Sequence, residues 1–239
     1  MTNQDWNPSL EQAFSKPRLA RYALNPRKVE ATIAYAHNML LGQAILPCLH
    51  VLEISLRNAM HQALKSKYGR SDWWEMVGSF TEADRLEIEK TRTSIKAKRH
   101  SVTPDKIVSD LSFGFWVSLL NTRHEQEFWK ELRLAFPRCP KKKRQRNELS
   151  KVLNQIRDLR NRTAHHDALL WLEPDVRQRY LLCLEVIGWI SPELKPWLSQ
   201  YVGFLRPGPT GWGVLLDSSR PHQHRNLYPV DHLRADRRV

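Results

Sequence analysis

Two runs of the chain, Lys28 to Gln43 and Pro47 to Tyr68, carry apolar residues at helical spacing, with at most a kink near Pro47 between them and Gly69 as a stop. Amphipathic stripes of that length must bury their apolar face against other helices. No segment of the sequence pairs strand-like alternation with a hairpin signal, and no repeat of fixed period occurs. The expected class is therefore all-α. Thr81 followed by Asp84 marks a helix start that runs to about Arg99, and Thr103-Pro104-Asp105 starts another that continues through Leu111, Phe115 and Leu119. Glu125 to Phe136 forms a short amphipathic helix ended by Pro137 and Pro140. Leu149, Val152, Leu153, Ile156 and Leu159 trace one apolar helical face, and Pro174 to Ile190 and Pro192 to Val202 complete the set. Beyond Gly203 the chain is rich in Pro, Gly, Arg and His without periodicity. The expected organisation is one helical domain over residues 1–202 and an irregular basic tail over 203–239.

With 239 residues, 41% of them apolar, the chain is long enough to bury a real core. No stretch approaches 18 consecutive apolar residues, and Met1 to Leu10 has neither an apolar export region nor an Arg-rich amphipathic pattern. A cytoplasmic location with no membrane partner is the expectation. Cys48, Cys139 and Cys183 lie far apart and form no C-x-x-C pair, which argues against disulfides and structural zinc. The net charge of +13 points to a polyanionic partner, RNA or DNA. It is also concentrated: Arg138 to Arg162 holds ten Lys or Arg residues against Glu148 and Asp158. Lys141, Lys142, Lys143, Arg144 and Arg146 read as a solvated loop that, with Arg162, would suit an RNA backbone.

That basic run leads along the apolar-faced helix into Arg160-Asn161-Arg162-Thr163-Ala164-His165-His166. Arg with His is what metal-free RNA cleavage needs: an imidazole titrating near neutrality moves protons, and a permanent cation stabilises charge building on phosphorus. Arg-to-His spacing alone recurs by chance in so basic a chain, so context decides. Arg225 and His232 fit it as well, but they enclose Pro229 in the aperiodic tail. Residues five apart on an undistorted helix point about 140° apart. Arg160 and His165 can therefore cooperate only if the helix ends or bends between them, with Asp167 capping a following turn, or if two copies pair their motifs across a two-fold axis; the dimer is preferred. A polar stripe of His50, Glu53, Arg57 and His61 runs along an earlier helix, where Glu53 and Arg57 are either an i,i+4 ion pair or part of a site. His165, His166 and Cys139 lack metal-ligand spacing. Trp73, Trp74, Trp116, Trp129 and Trp171 are assigned to core or interface.

Leu159 to Leu169 resembles the R-N-x-x-A-H-H signature of the Abi-like (abortive infection) proteins of bacteria, a branch of the HEPN superfamily. The likeness continues in order through Lys16-Pro17-Arg18-Leu19 to Tyr22, Leu49 through Glu53 to Arg57-Asn58, Tyr68-Gly69, Trp73-Trp74 and Leu111 to Trp116, covering roughly residues 16 to 190. The resemblance implies a HEPN-like helical bundle, usually dimeric, and metal-independent RNA cleavage without a cofactor. It implies Arg160 and His165 as the catalytic pair, with Asn161 as the polar residue beside them. His166, Glu53, Arg57 and Asn58 would support that pair. The family pattern often carries a basic residue where this chain has Ala168, which puts one substrate contact in doubt. Two readings follow: a toxin-like endoribonuclease of abortive infection, held in check by an RNA or protein antitoxin, or a non-catalytic RNA-binding sensor of a phage-defence system. A DNA-binding regulator lacks a helix-turn-helix.

Overall fold

The computed structural model describes residues 8–23, 31–170, 172 and 175–201. Among these the protein is all-α, as expected, with ten α-helices. They are α1 (Pro8–Phe14), α2 (Lys16–Ala23), α3 (Ala31–Tyr68), α4 (Glu82–Ala97), α5 (Pro104–Asp110), α6 (Phe113–Ser118), α7 (Glu125–Leu132), α8 (Arg146–Ala164), α9 (Val176–Ile190) and α10 (Leu194–Tyr201). Single 3₁₀ turns at Trp73–Met76, Thr122–His124 and Arg133–Ala135 link some of them. The expected tail from 203 to 239, with Arg225 and His232, lies outside the described residues, as does Trp171.

α3 is the axis of the bundle. Its 38 residues span roughly 57 Å at 1.5 Å per residue, and α2, α5, α6, α7, α8 and α9 all pack on it. By length and composition it is the one described helix that could cross a membrane. Here Ile45, Cys48, Leu52, Leu56, Met60 and Leu64 are wholly enclosed by the other helices. The expected kink at Pro47 does not break it: Pro47 is exposed while Ile45, Cys48 and Leu49 on either side are buried. Burial on both flanks offsets the missing backbone hydrogen bond, whose loss costs about 3 kcal/mol in a helix interior.

Thr81 caps α4 through a reciprocal capping box with Asp84, and Thr103 caps α5 with Pro104 in its first turn, both at the expected places. The single helix expected from 103 through 119 is in fact two. Leu111 turns extended, and the Ser112 hydroxyl accepts from the Phe115 amide at 3.0 Å, starting α6 afresh. This break points Phe113, Phe115 and Trp116 inward together. Phe115 and Trp116 join Trp73, Phe80 and Phe128 in an aromatic cluster with neighbouring ring centroids 5.5 to 6.2 Å apart. Trp74 is also buried and Trp129 half-buried, in line with their assignment to core or interface, whereas Trp197 on α10 is 50% exposed. One hydrophobic cluster runs from Leu41 to Leu198. The three cysteines are buried and form no disulfide, and the neighbouring Cys183 thiol together with burial pushes the Cys48 thiol up where α3 meets α9.

Candidate functional site

α8 anchors the motif through Leu149, Leu153, Ile156 and Leu159, all buried in the core. The helix ends at Ala164, and its closure falls just beyond His165. His165 is the C-cap, and His166 adopts the left-handed conformation with φ 56°. The Asp167 amide donates to the Arg162 carbonyl at 2.8 Å and the His166 amide to the Thr163 carbonyl at 3.2 Å. This is a Schellman closure with histidine where glycine is usual. The His165 amide still donates to the Asn161 carbonyl at 2.9 Å, so the helical turn runs unbroken from Arg160 to His165 and the chain departs only at His166; the bend expected between the pair is absent. Asp167, expected to cap a following turn, instead closes the helix behind it.

Two elements that the sequence reading did not connect to the motif hold this turn in place. From α2, Arg18 donates to the His166 carbonyl at 3.0 Å and Arg21 pairs with the Asp167 carboxylate at 2.9 Å. From α3, the buried Asn38 amide donates to the Asp167 carbonyl at 3.0 Å and accepts from the Leu169 amide at 2.6 Å. The N-terminal segment singled out for its family likeness thus has a physical task. A turn whose backbone groups are answered from two other helices is held far more firmly than a free helix end.

Arg160 points to α3, where its Nε lies 3.4 Å from the Glu53 carboxylate. The i,i+4 ion pair between Glu53 and Arg57 does not form. Arg57 instead donates from Nη1 to the Ser109 carbonyl on α5 at 2.8 Å, and its Nε is buried without a hydrogen-bond partner. The polar stripe of α3 divides accordingly. His50 is exposed, Glu53 and Arg57 line the site, and His61 is buried with Nδ1 accepting from Trp73 Nε1 at 3.1 Å. Burial depresses the His61 pKa, so it stays neutral and belongs to the core. Asn161, His165 and Asn58 are exposed, with no side-chain hydrogen bond among the described residues; the His166 side chain is exposed as well.

The expected RNA-contacting cations are not equivalent. Arg162 binds both Asp158 oxygens at 3.1 Å, and the largely buried Arg179 takes the same carboxylate at 2.7 Å. Burial pushes the Asp158 carboxyl up, but the hydrogen bonds from Arg179 and Arg162 outweigh it and hold the group below its ordinary range. Lys143 pairs with Glu185 at 2.7 Å, and Arg146 is clamped by Glu125 and the Leu120 carbonyl, each at 2.8 Å. Lys141 and Lys142 are exposed and Arg144 half-exposed, with no carboxylate on any of them among the described residues.

Beside the motif lies a cleft of about 500 Å³ between α3 and the α8 end, lined by Tyr35, Met39, Leu46, Thr163 and His166 among others. Gly42 brings the helices together there: a Cβ at that position would sit 3.9 Å from both Thr163 and Leu169 side-chain carbons. Met39 and Leu46 are half exposed, at 57% and 51%, an unusual state for side chains of their size on a core helix.

No group of three His, Cys, Asp or Glu side chains suited to a metal ion occurs among the described residues. No curated protein and no solved structure matches the chain. A family does: residues 11–171, about two thirds of the sequence and the stretch that includes α2, the Glu53 helix and the whole motif, match the family described as Abi-like protein. The chain belongs to the Abi-like proteins, whose name ties it to abortive infection, a form of defence against phage.

Proposed function

We propose that the protein is a HEPN-type, metal-independent endoribonuclease of the bacterial cytoplasm that acts toxin-like in abortive infection. One observation carries this reading: Arg160 is held toward Glu53 on a rigid helix, and His165 is the exposed C-cap of that same helix. A fixed cation and an accessible imidazole are thereby placed at one helix end. In the proposed reaction His165 takes the proton of a ribose 2′-OH, the 2′ oxygen attacks the adjacent phosphorus, and the 5′ oxygen leaves with a proton returned to it. The products are a 2′,3′-cyclic phosphate and a free 5′-OH. Arg160 stabilises the negative charge that accumulates on the phosphoryl oxygens, and Asn161 orients the pair. Glu53 sets the direction of the guanidinium.

A second copy of the chain fits this reading. The half-exposed Met39 and Leu46 lie on a helix face whose rim is His166 and Asp167. Two such faces closed on each other across a two-fold axis would bring both motifs to one cleft. An RNA or protein antitoxin would then act by covering that cleft.

The test is RNA cleavage in EDTA by wild type, Arg160→Ala and His165→Ala, with folding checked by circular dichroism. The nuclease reading expects cleavage ending in cyclic phosphate from wild type alone. A second reading, a non-catalytic RNA-binding sensor, draws on the exposed His165 ring, which has no orienting hydrogen bond among the described residues. Equal, salt-dependent RNA binding by all three proteins without cleavage would establish it instead.

A further inference from the structure

The arginines around α8 differ in whether a carboxylate answers them. Asp158 takes Arg162 and Arg179, Glu125 takes Arg146, and Glu53 takes Arg160. Arg57 on α3 and Arg157 on α8, like Arg144 ahead of α8, have no acid partner among the described residues. Arg57 is half-buried, hydrogen-bonds only the Ser109 carbonyl, and has a buried Nε with nothing to donate to. Arg157 is half-buried and makes no hydrogen bond or ion pair among the described residues. Its Cδ lies 3.9 Å from where a Cβ on Gly114 of α6 would stand, so its stem runs across the bare backbone of that glycine. Partly desolvating a guanidinium without a counter-charge is costly, and a bound anion removes the cost.

The two arginines converge by the way their helices cross. Going C-terminally along α3 from Gly42 to Glu53, the contact on α8 moves N-terminally from Thr163 to Arg160. Arg57 lies one turn beyond Glu53 on α3, and Arg157 about one turn before Arg160 on α8. α6 packs on both helices at this level. Arg57 reaches the Ser109 carbonyl on α5 and the Arg157 stem crosses Gly114 on α6, so both unanswered side chains meet the α5–α6 corner.

We propose that Arg57 and Arg157 form a second phosphate subsite, which holds the RNA phosphodiester next to the one that lies at Arg160. The inference rests on RNA being the ligand of the Arg160 site. It adds a direction to that ligand: the strand runs from the helix end at His165 along the α3–α8 crossing toward α5 and α6. Contacts of this kind read the backbone and place the scissile linkage without selecting a base. Arg157 is on this account a positioning residue.

The experiment measures binding of a short single-stranded RNA to the His165→Ala protein, which removes the proposed chemistry, with and without Arg157→Gln. Gln keeps much of the stem over Gly114 and removes the charge. Expected is about a tenfold loss of affinity and a log–log salt slope shallower by about 0.7, one phosphate contact on a single strand. Arg157→Lys should recover most of the affinity, while Arg177→Gln on the exposed face of α9 should barely change it. RNAs neutralised at one linkage at a time by a methylphosphonate should reveal a linkage that weakens the parent but not Arg157→Gln. Affinity unchanged in Arg157→Gln, or losses that simply add at every linkage, would overturn the subsite. Wild type that shows this linkage dependence but never cleaves RNA would sink the nuclease reading and leave the subsite standing. Absence of RNA binding by the His165→Ala parent would sink the subsite, and cleavage by wild type would still judge the nuclease reading separately. Should Arg157→Gln lower the unfolding midpoint, Arg157→Met, which keeps the apolar stem without the charge, carries the linkage scan in its place.

Discussion

Two clusters in this molecule are built from the same three residue types. At the end of α8, Arg160 pairs with Glu53 and His165 caps the same helix; at the start of α7, Arg123 and His124 stand with Asp84. In the second cluster His124 is fully buried and Asp84 nearly so. Asp84 accepts from Arg123 at 2.9 Å and from the Thr81 amide and hydroxyl. The His124 ring meets the Ser79 hydroxyl through Nδ1 at 3.2 Å and accepts from Arg123 through Nε2 at 3.0 Å. Serine, histidine and aspartate in a row resemble a hydrolytic triad, but the proton bookkeeping forbids it. With Nε2 accepting from Arg123, the proton of the neutral ring sits on Nδ1 and points at Ser79, so His124 cannot serve as that hydroxyl's base. Its 3.3 Å approach to Asp84 is proximity between two acceptors while the ring is neutral. The first cluster is the reverse case: its histidine is exposed, its arginine pair is long, and the neighbouring Arg57 and Arg157 have no acid among the described residues. Residue type does not separate a site from a strut; burial and saturation of hydrogen bonds do.

The largest expected difference between the clusters is in rate. Arg160→Ala or His165→Ala should lower RNA cleavage by about 10²–10³ or more with little change in the unfolding midpoint. Arg123→Ala should act through stability alone. Gel-based cleavage and thermal unfolding on the same preparations check both, and a comparable rate loss from Arg123→Ala at unchanged stability would erase the distinction. Asp84→Ala removes a helix cap and leaves Arg123 and the Thr81 amide unanswered, which should cost about 2–3 kcal/mol in urea unfolding. A cost no larger than that of an exposed substitution would show the buried cluster to be loosely held.

pH sharpens the contrast further. Burial depresses the His124 pKa, and His61 behaves alike, so the folded protein keeps both rings neutral where the unfolded chain protonates them at about 6.5. A depressed histidine contributes stability that is complete above the unfolded pKa and is lost as pH falls through the folded value. Unfolding free energy should therefore decline below about pH 6.5, and His124→Asn should flatten part of that decline. Increasing stability on acidification over the same range would contradict the neutral assignment. The smallest effect belongs to the α8 closure. His166→Gly relieves the left-handed strain and should raise stability by up to about 1 kcal/mol. Cleavage should persist, because the Arg18 bond is to the His166 carbonyl, which glycine retains. A loss of cleavage in that variant would show that the His166 ring itself serves the site.

Much of the fold was legible in local pattern. The Thr81 and Thr103 caps, the buried face from Leu149 to Leu159 and the core tryptophans follow from periodicity and capping chemistry, which depend on near neighbours. The break at Ser112 was missed because its cap competes with a continuous apolar period through Leu111, Phe115 and Leu119. It prevails only because the aromatic cluster rewards the altered direction. The site was half legible. Arg160 and His165 stood out by type and family pattern. That Arg162 is consumed by Asp158 and Arg179, that Arg57 is released from Glu53, and that Arg18, Arg21 and Asn38 hold the motif turn could not be read from spacing, since each depends on residues of another helix.

The sequence by itself determined an all-α chain, the helix that carries the motif and the chemical types present at its end, because helical period, caps and side-chain chemistry are properties of short stretches. Only the tertiary structure decided which charges are spent and which remain available. A carboxylate cancels whichever cation the packing brings within about 4 Å, and here that packing leaves the Arg160 end of α8 open while it closes the Arg123 cluster.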